Sequence, residues 1–246
     1  MKNLLAAFIV ISLQSLPFVG YGQTLDEVLD KHDAAIGQEA LVGMRSLLLQ
    51  VREVNGFGGG KKYEVIKKHP NRIRIEGKWE GKTYIDAFDG TRAWTISPWT
   101  GVHSAQLMTT REREHLFLNL PMGSPLSRTT KTDRAFSLIG LKNIAGDKHH
   151  VVRCTFASGY FADFFIDAKT YLIFKRTTYF NDDVTQIESE LYFKKYKKLG
   201  AFTLPFGYEN RSSRNDSYDI IIDDIVIGYG APQSLFNKPE VQETEK

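Results

Sequence analysis

Apolar residues recur along this chain with two different periods. Near the N-terminus the period is that of a helix, because one stripe collects Leu25, Val28, Leu29, His32 and Ile36. Thr24 and Glu27 have the spacing of a capping box before this stripe, and Gly37 is suited to end the helix behind it. We therefore expect a helix over residues 25–36, followed by a short helical turn over residues 39–44.

From Ser46 onward the period changes to two. Alternation is clear at residues 47–51, 72–76 and 83–88, and it predicts strands that have one apolar and one polar face. Asp89-Gly90 marks a tight hairpin. Roughly ten or eleven such strands follow one another to the C-terminus. The pattern predicts a mainly β fold, in which a curved antiparallel sheet forms an incomplete, half-open barrel covered by a few helices.

The alternation breaks between Pro98 and Lys148, where prolines and glycines interrupt the sequence, and within this stretch a strand is expected only around residues 135–139. Residues Thr110 to Leu120 inside this stretch have a helical pattern, with charged residues first and apolar residues later. We interpret the stretch as a lid or an insertion. Its apolar cover is expected to come from Leu116, Phe117 and Leu118.

The N-terminus has the pattern of a secretory signal peptide. Lys2 precedes an apolar run from Leu4 to Leu16, and small residues follow before Gln23. The run is shorter than the roughly 20 residues that cross a bilayer, which disfavours an N-terminal membrane anchor and any stable membrane insertion. We predict a signal peptide over residues 1–22, one domain over residues 23–239 and a disordered tail over residues 240–246.

The composition fits one all-β domain and disfavours nucleic acid as a partner. About 220 of the 246 residues would remain after cleavage, which suits one all-β domain. The 32 Lys and Arg residues nearly balance the 29 Asp and Glu residues, so no long-range field favours nucleic acid. Cys154 is the only cysteine, so no internal disulfide can form. Its alternating strand surroundings predict a buried and inert thiol.

Motifs for catalysis or metal binding are absent from the sequence. The glycine cluster before Lys61 lacks the Ser or Thr and the following helix of a phosphate-binding loop. His149 and His150 are neighbours that would face opposite sides of a strand, and no histidine has metal-type spacing. Neither Ser124 nor Ser158 lies on a glycine-flanked strand-to-helix turn. We expect no catalytic residue, metal or cofactor; a hydrolase with dispersed catalytic groups is the least favoured alternative.

Apolar side chains occur on both faces of one predicted strand. Phe164 and Phe165 are adjacent, so they point to opposite faces, and a helix, a partner or a ligand must cover the second face. The basic and aromatic stretch from Lys194 to Lys198 has a composition found in nucleic-acid binders. Its place at a strand end instead favours a solvated rim or a docking patch for an acidic partner.

Five pieces of the chain carry a resemblance through their order and spacing. They are residues 25–37, 87–94, 166–172, 196–205 and 234–239. Each piece alone is only a local strand, turn or helix pattern. Together they resemble the LolA/LolB-like superfamily of outer-membrane lipoprotein-sorting proteins, over almost the whole mature chain.

The resemblance implies an incomplete antiparallel barrel whose concave face, roofed by helices, holds acyl chains. It implies a monomeric periplasmic carrier of lipids or lipoproteins, exported by the signal peptide, with inner- and outer-membrane sorting components as partners. Well-studied carriers of the family keep the lid shut with an arginine, for which Arg111 and Arg113 are the candidates here.

The lipid-binding residues follow from choosing an inward face on each strand. We predict that this face presents Leu49, Val51, Val65, Ile73, Ile75, Trp94, Val152, Phe164 and Phe174. A register error of one residue would reverse the choice on any strand. The main alternative to a carrier is a sensor or interaction module of the same fold, filled by its own side chains and without lipid cargo.

Overall fold

A computed structural model describes residues 22–55, 60–130, 132–180, 183–213 and 216–240 of the chain. The predicted signal peptide, apart from Gly22, and the predicted tail beyond residue 240 lie outside these ranges, as does most of the glycine cluster at residues 56–59. Within the described ranges, the helices are too short or too polar to cross a membrane.

Three α-helices occur in the described residues: α1 (Leu25–Ile36), α2 (Gln38–Val42) and α3 (Thr110–Phe117). The predicted capping box of α1 is present, since Thr24 Oγ1 accepts from the Glu27 N–H and the Glu27 carboxylate accepts from the Thr24 N–H. Gly37 ends α1 in the left-handed conformation, with φ of 68°. A Cβ at Gly37 would also lie 2.2 Å from the carbonyl oxygen of Ala201. Both the backbone conformation and this close contact therefore require glycine at this position.

Thirteen strands within the described ranges form one antiparallel sheet. Their bounds are β1 (Ser46–Asn55), β2 (Lys62–Lys68), β3 (Arg72–Trp79), β4 (Lys82–Phe88), β5 (Ala93–Ile96), β6 (Gln106–Leu107), β7 (Arg134–Ile144), β8 (Asp147–Phe156), β9 (Phe161–Asp167), β10 (Ile173–Tyr179), β11 (Ile187–Leu199), β12 (Phe202–Ser212) and β13 (Ser217–Ile227).

The sheet consists of two meanders that pair with each other at the centre of the sheet. Strands β1 to β6 follow one another outward to one edge, β7 to β13 return from the other edge, and β13 pairs with β1. Because β6 and β7 are the edges and do not pair, the sheet stays open. The predicted fold class, an unclosed antiparallel barrel covered by helices, is confirmed.

The inner face of the sheet carries two apolar clusters. On the first half, buried Val51, Ile73 and Phe88 pack with Leu116 and Ile222. On the second half, side chains from β8, β9 and β10 pack under α1 and under the residues that follow α3, with Val28, Leu29, Leu118, Val152 and Phe164 all buried. The helices thus roof the inner face, and they roof the second half more tightly.

The outer face of the second half is covered by its own charged side chains. The guanidinium of Arg153 lies 4.1 Å from the ring centroid of Phe161 and also binds Asp163. Lys175 and Lys142 lie over the ring of Phe165 in the same way. Long cationic side chains bury their methylenes on aromatic rings and keep their charges in water. The second apolar face predicted from the sequence therefore needs no helix, partner or ligand to cover it.

A C-terminal segment covers the outer face of the first half. Phe236, in a 3-10 turn at Gln233–Phe236, is fully buried against Leu48 and Ile66. Its carbonyl oxygen accepts a hydrogen bond of 2.8 Å from Trp94 Nε1. The segment holds the outer side of β1 to β5, so the inner side of those strands is left for other contacts.

Three sequence predictions need correction. The sheet has more strands than the ten or eleven expected, in part because the two-residue β6 adds an edge that no alternation could reveal. The strand expected at residues 135–139 is present but longer, because β7 runs to Ile144 and forms a hairpin with β8 through Ala145-Gly146, so the interrupted segment ends before Arg134. Helix α3 stops at Phe117 instead of Leu120: the N–H groups of Asn119 and Leu120 bond three residues back instead of four, and Pro121 disfavours helical geometry at Leu120.

Candidate functional site

A cavity of about 260 Å³ lies between the inner face of the sheet and the segment that follows α3. We call residues 109–127, which contain α3 and this segment, the lid. The apolar side chains that line the cavity are Ile36, Leu47, Leu49, Val51, Val65, Ile75, Leu118, Pro121, Met122, Pro125, Ile173, Leu191, Phe193, Leu204, Pro205, Ile220 and Ile222. The volume is slightly below the about 300 Å³ at which sites for drug-sized ligands begin.

Strand register explains the apolar wall. Leu49 of β1 lies opposite Val65 of β2, which in turn lies opposite Ile75 of β3. Residues directly opposite one another in a sheet share a face, so the three form one row across the cavity. Leu47 and Val51 extend the wall along β1, as alternation requires.

Tyrosine hydroxyls form a polar part of the cavity. Tyr63, Tyr208 and Tyr218 line it, and Tyr196 donates its hydroxyl to the Ile173 carbonyl oxygen at 2.9 Å. Burial raises the pKa of the Tyr208 hydroxyl well above its usual range. These phenols are therefore neutral groups that can donate or accept a hydrogen bond.

The lid is anchored on both clusters of the inner face. Leu118 is buried beneath α1 and lines the cavity, while Leu116 packs in the cluster on the first half of the sheet. Phe117 contacts both clusters and meets Phe88 edge to face, with ring centroids 4.8 Å apart. Phe117 and Leu116 therefore hold the lid beside the cavity, and Leu118 is the lid residue of the three that forms its wall.

A buried histidine of α1 holds the lid through a hydrogen bond. The His32 ring nitrogens each make a 2.7 Å hydrogen bond, Nδ1 to the Tyr171 carbonyl oxygen and Nε2 to Ser124 Oγ. A carbonyl oxygen only accepts, so Nδ1 is the protonated nitrogen and Nε2 accepts from the Ser124 hydroxyl. Burial lowers the pKa of His32 to about 4.

The 2.7 Å distance between His32 Nε2 and Ser124 Oγ is within the range for a nucleophile and its base, but both side chains are buried. Ser124 Oγ also accepts from the Leu126 N–H, and the Ser124 N–H donates to Gln38 Oε1. A general base works best when its pKa is near the working pH, which His32 is far from. The pair therefore fixes the position of the lid.

Two cationic side chains reach the lid from the sheet. Lys67 Nζ donates to the Pro121 carbonyl oxygen at 2.8 Å, and Arg176 Nη1 donates to Asn119 Oδ1 at 3.3 Å. Both side chains line the cavity. Burial lowers the pKa of the Lys67 amine to about 8 and also lowers the pKa of Arg176.

Of the two latch arginines suggested by the family resemblance, Arg111 bridges the lid and the sheet. Its Nη2 donates to the Tyr179 carbonyl oxygen at 2.8 Å and lies 3.2 Å from a Glu188 carboxylate oxygen. His115, one turn along α3, lies 3.1 Å from the same oxygen. Arg113 instead contacts its neighbour Glu114 at 4.0 Å.

Seven of the nine predicted lipid-binding residues lie on the inner face, in three groups. Four line the cavity: Leu49, Val51, Val65 and Ile75. Ile73 is on the same face, fully buried beside the cavity. Val152 and Phe164 are on the inner face but lie in the solid core under α1.

Trp94 and Phe174 are on the wrong face, and these two inward assignments need correction. Trp94 packs with Ile85 and Ala87 and bonds to the C-terminal segment on the outer side. Phe174 meets His149 and Tyr192 on the outer face. A one-residue shift in the assumed alternation accounts for each, because Ala93 and Ile173 are the inward neighbours.

Sequence reasoning missed the polar groups of the site. Lys67, Arg176, His32 and Ser124 all line the cavity. The strand alternation does contain a signal for two of them, since Lys67 occupies the same face as Tyr63 and Val65, and Arg176 lies opposite Phe164 and Leu191. A charged residue at an inward position of an otherwise apolar face is therefore the signal that the alternation offered.

Solved structures with this fold include a LolA superfamily protein from Nitrosomonas europaea, with a TM-score of 0.61 at 13% identity over 88% of this chain and 99% of that one. They also include an outer-membrane lipoprotein-sorting protein domain from Vibrio parahaemolyticus, with a TM-score of 0.60 at 13% identity over 86% of this chain and 95% of that one. No protein-family model and no curated protein matches the sequence. The resemblance is confirmed at the level of the fold: this chain folds as a LolA-like half-barrel.

Proposed function

We propose that this protein is a periplasmic carrier that binds the acyl chain of a lipid or lipoprotein in the cavity beneath its lid and moves it toward the outer membrane. The observation that carries the proposal is an apolar cavity left open between a sheet and a lid, where a filled core would be expected. Protein interiors are normally packed without voids larger than a water molecule. A cavity of this size gives room for an apolar occupant.

The energetics support carriage in such a cavity. Burying one methylene stabilises by about 0.8 kcal/mol, so a chain of about 15 carbons gains on the order of 12 kcal/mol on leaving water. The cavity holds about 260 Å³, so a long acyl chain or a larger cargo needs the lid to move away from the sheet. A few hydrogen bonds and ion pairs hold the lid, which suits a reversible cover.

The LolA-like fold supports the proposal by analogy. The Vibrio parahaemolyticus domain with this fold is described as lipoprotein-sorting. A carrier of this kind needs no catalytic residue, because it exchanges water for apolar walls. Sorting components of the inner and outer membranes are the partners that the proposal implies for loading and release.

Native mass spectrometry of the protein purified from its periplasm tests the proposal. A bound lipid of several hundred daltons is expected, and delipidated protein should take up a fluorescent fatty acid. Bare protein that takes up none would contradict carriage and would favour a sensor or interaction module of the same fold. Ester turnover that is lost in Ser124→Ala would favour a hydrolase instead.

A further inference from the structure

Two positive charges line a cavity that is otherwise apolar and phenolic. Lys67 continues the inward row of β2 after Tyr63 and Val65, and Arg176 projects from β10 toward the same space. Among the described residues, neither side chain has a carboxylate within ion-pair distance. The cavity therefore holds uncompensated positive charge.

The hydrogen bonds of these two cations are incomplete. Their acceptors on the lid are neutral oxygens, the Pro121 carbonyl for Lys67 and the Asn119 amide for Arg176. Arg176 Nε is buried and has no hydrogen-bond partner. A guanidinium has five N–H groups arranged to bind a planar anion, and leaving one buried without a partner is costly.

Two cations on the outer face of the same sheet are paired with carboxylates. Arg153 makes two hydrogen bonds to the Asp163 carboxylate, at 2.7 and 2.9 Å. Lys175, the strand neighbour of Arg176 on the opposite face, pairs with Glu190. Carboxylates therefore pair with several cations of the outer face, whereas the acceptors that Lys67 and Arg176 have in the cavity are neutral.

Resting on the proposed carrier function, we propose that the cavity binds a single-chain amphiphile with an anionic head group, a carboxylate or a phosphate, held between Arg176 and Lys67. The tail then lies along the row formed by Leu49, Val65 and Ile75. An anion adds the opposite charge that both cations lack, and a guanidinium can bind a carboxylate or a phosphate through two parallel hydrogen bonds. The head group is buried and the tail follows the apolar wall.

The same contacts couple the ligand to the lid. Asn119 and Pro121, which now accept hydrogen bonds from the two cations, are two residues apart in the lid. An anion that binds the cations competes with both lid oxygens. Head-group binding thereby loosens the lid at the segment that follows α3.

Isothermal titration calorimetry at pH 7.5 with three ligands that share one tail tests the head group. Dodecanoate, dodecyl phosphate and 1-dodecanol are titrated into delipidated full-length mature protein. At least one anion is expected to bind more than tenfold tighter than the alcohol, and the tighter anion identifies the carboxylate or the phosphate as the natural head group. An alcohol that binds as tightly as both anions overturns the head-group proposal while leaving carriage intact.

Variants assign the effect to the cavity cations. Arg176→Gln and Lys67→Gln should each weaken anion binding more than tenfold and leave 1-dodecanol binding unchanged, whereas Arg176→Lys should keep part of the preference. Lys82→Gln, at an exposed position, controls for the loss of one charge. Unchanged anion affinity in both glutamine variants overturns the proposal. Failure of the native protein to bind any of the three ligands overturns carriage itself, and the head-group site with it.

Discussion

His32 connects three parts of the molecule through one imidazole ring. It lies in α1, binds the Tyr171 carbonyl oxygen in the turn between β9 and β10, and holds Ser124 of the lid. The neutral ring accepts the Ser124 hydroxyl at Nε2, whereas a protonated ring would have to carry its charge in a fully buried position. Protonation of this residue therefore costs stability.

Replacing His32 should remove a pH-dependent part of the stability. The ring has a pKa of about 4 when folded and an ordinary value of 6.5, so between these values the unfolded state binds more protons. Stability from the neutral ring is complete above pH 6.5 and declines as the pH falls toward 4. The decline amounts to about 2 kcal/mol at pH 5.

Urea denaturation of the native protein and His32→Gln at pH 7.5 and pH 5 measures this contribution. The native protein should lose about 2 kcal/mol more than the variant over this interval. His103→Gln, at an exposed histidine, serves as the control and should track the native protein. Equal losses in the native protein and His32→Gln would mean that the ring is not held neutral by burial.

At the scale of elements, Phe117 at the end of α3 connects the lid to the apolar clusters of both halves of the sheet. Phe117 is half-buried, unlike Leu116 and Leu118, so its replacement disturbs the lid without opening the core. Phe117→Asp places a charge against Phe88 and both clusters, which costs free energy unless the lid moves away. We expect amphiphile binding to weaken more than tenfold while the sheet stays folded.

Titration with a fluorescent fatty acid, with far-ultraviolet circular dichroism to confirm the fold, checks this expectation. Leu107→Asp makes the same kind of substitution at a leucine of β6 that is 60% exposed, and it should bind normally. Equal affinity in Phe117→Asp and the native protein would show that the lid is not the cover of the binding site.

The elements differ in how well the sequence predicts them. Helix α1 was predictable to the residue, because its cap, stripe and terminal glycine are all local signals. The wall of the cavity on β1 to β3 was predictable because long, regular strands keep the period of two. The face on which Trp94 lies was not predictable, since β5 has only four residues and both of its faces are covered.

The polar half of the site depends on contacts that are remote in sequence. His32 and Ser124 are 92 residues apart, and Lys67 and Pro121 are 54 apart. No spacing rule relates such pairs, because the fold alone brings them together. Tertiary hydrogen bonds to a lid therefore had to come from the structure, whereas the apolar wall was visible in the alternation.

At the scale of the whole molecule, one hydrogen-bonded sheet runs through both halves of the chain. The two halves meet where β1 pairs with β13, over nine residue pairs from Leu47–Ile227 to Asn55–Tyr218. Phe117 adds a second link, because it contacts the apolar cluster of each half. This continuity favours a single cooperative domain over residues 23–239.

Cooperativity can be measured because each half carries its own probe. All three tryptophans, Trp79, Trp94 and Trp99, lie in the first half, and Cys154 lies in the second. Burial raises the pKa of the Cys154 thiol to about 11, so it should not react with a thiol reagent in the folded protein. In urea, we expect tryptophan emission and thiol reactivity to change with one shared midpoint, as a two-state domain requires. Two separated midpoints would show that the halves unfold independently, and Cys154→Ala supplies the background for the thiol assay.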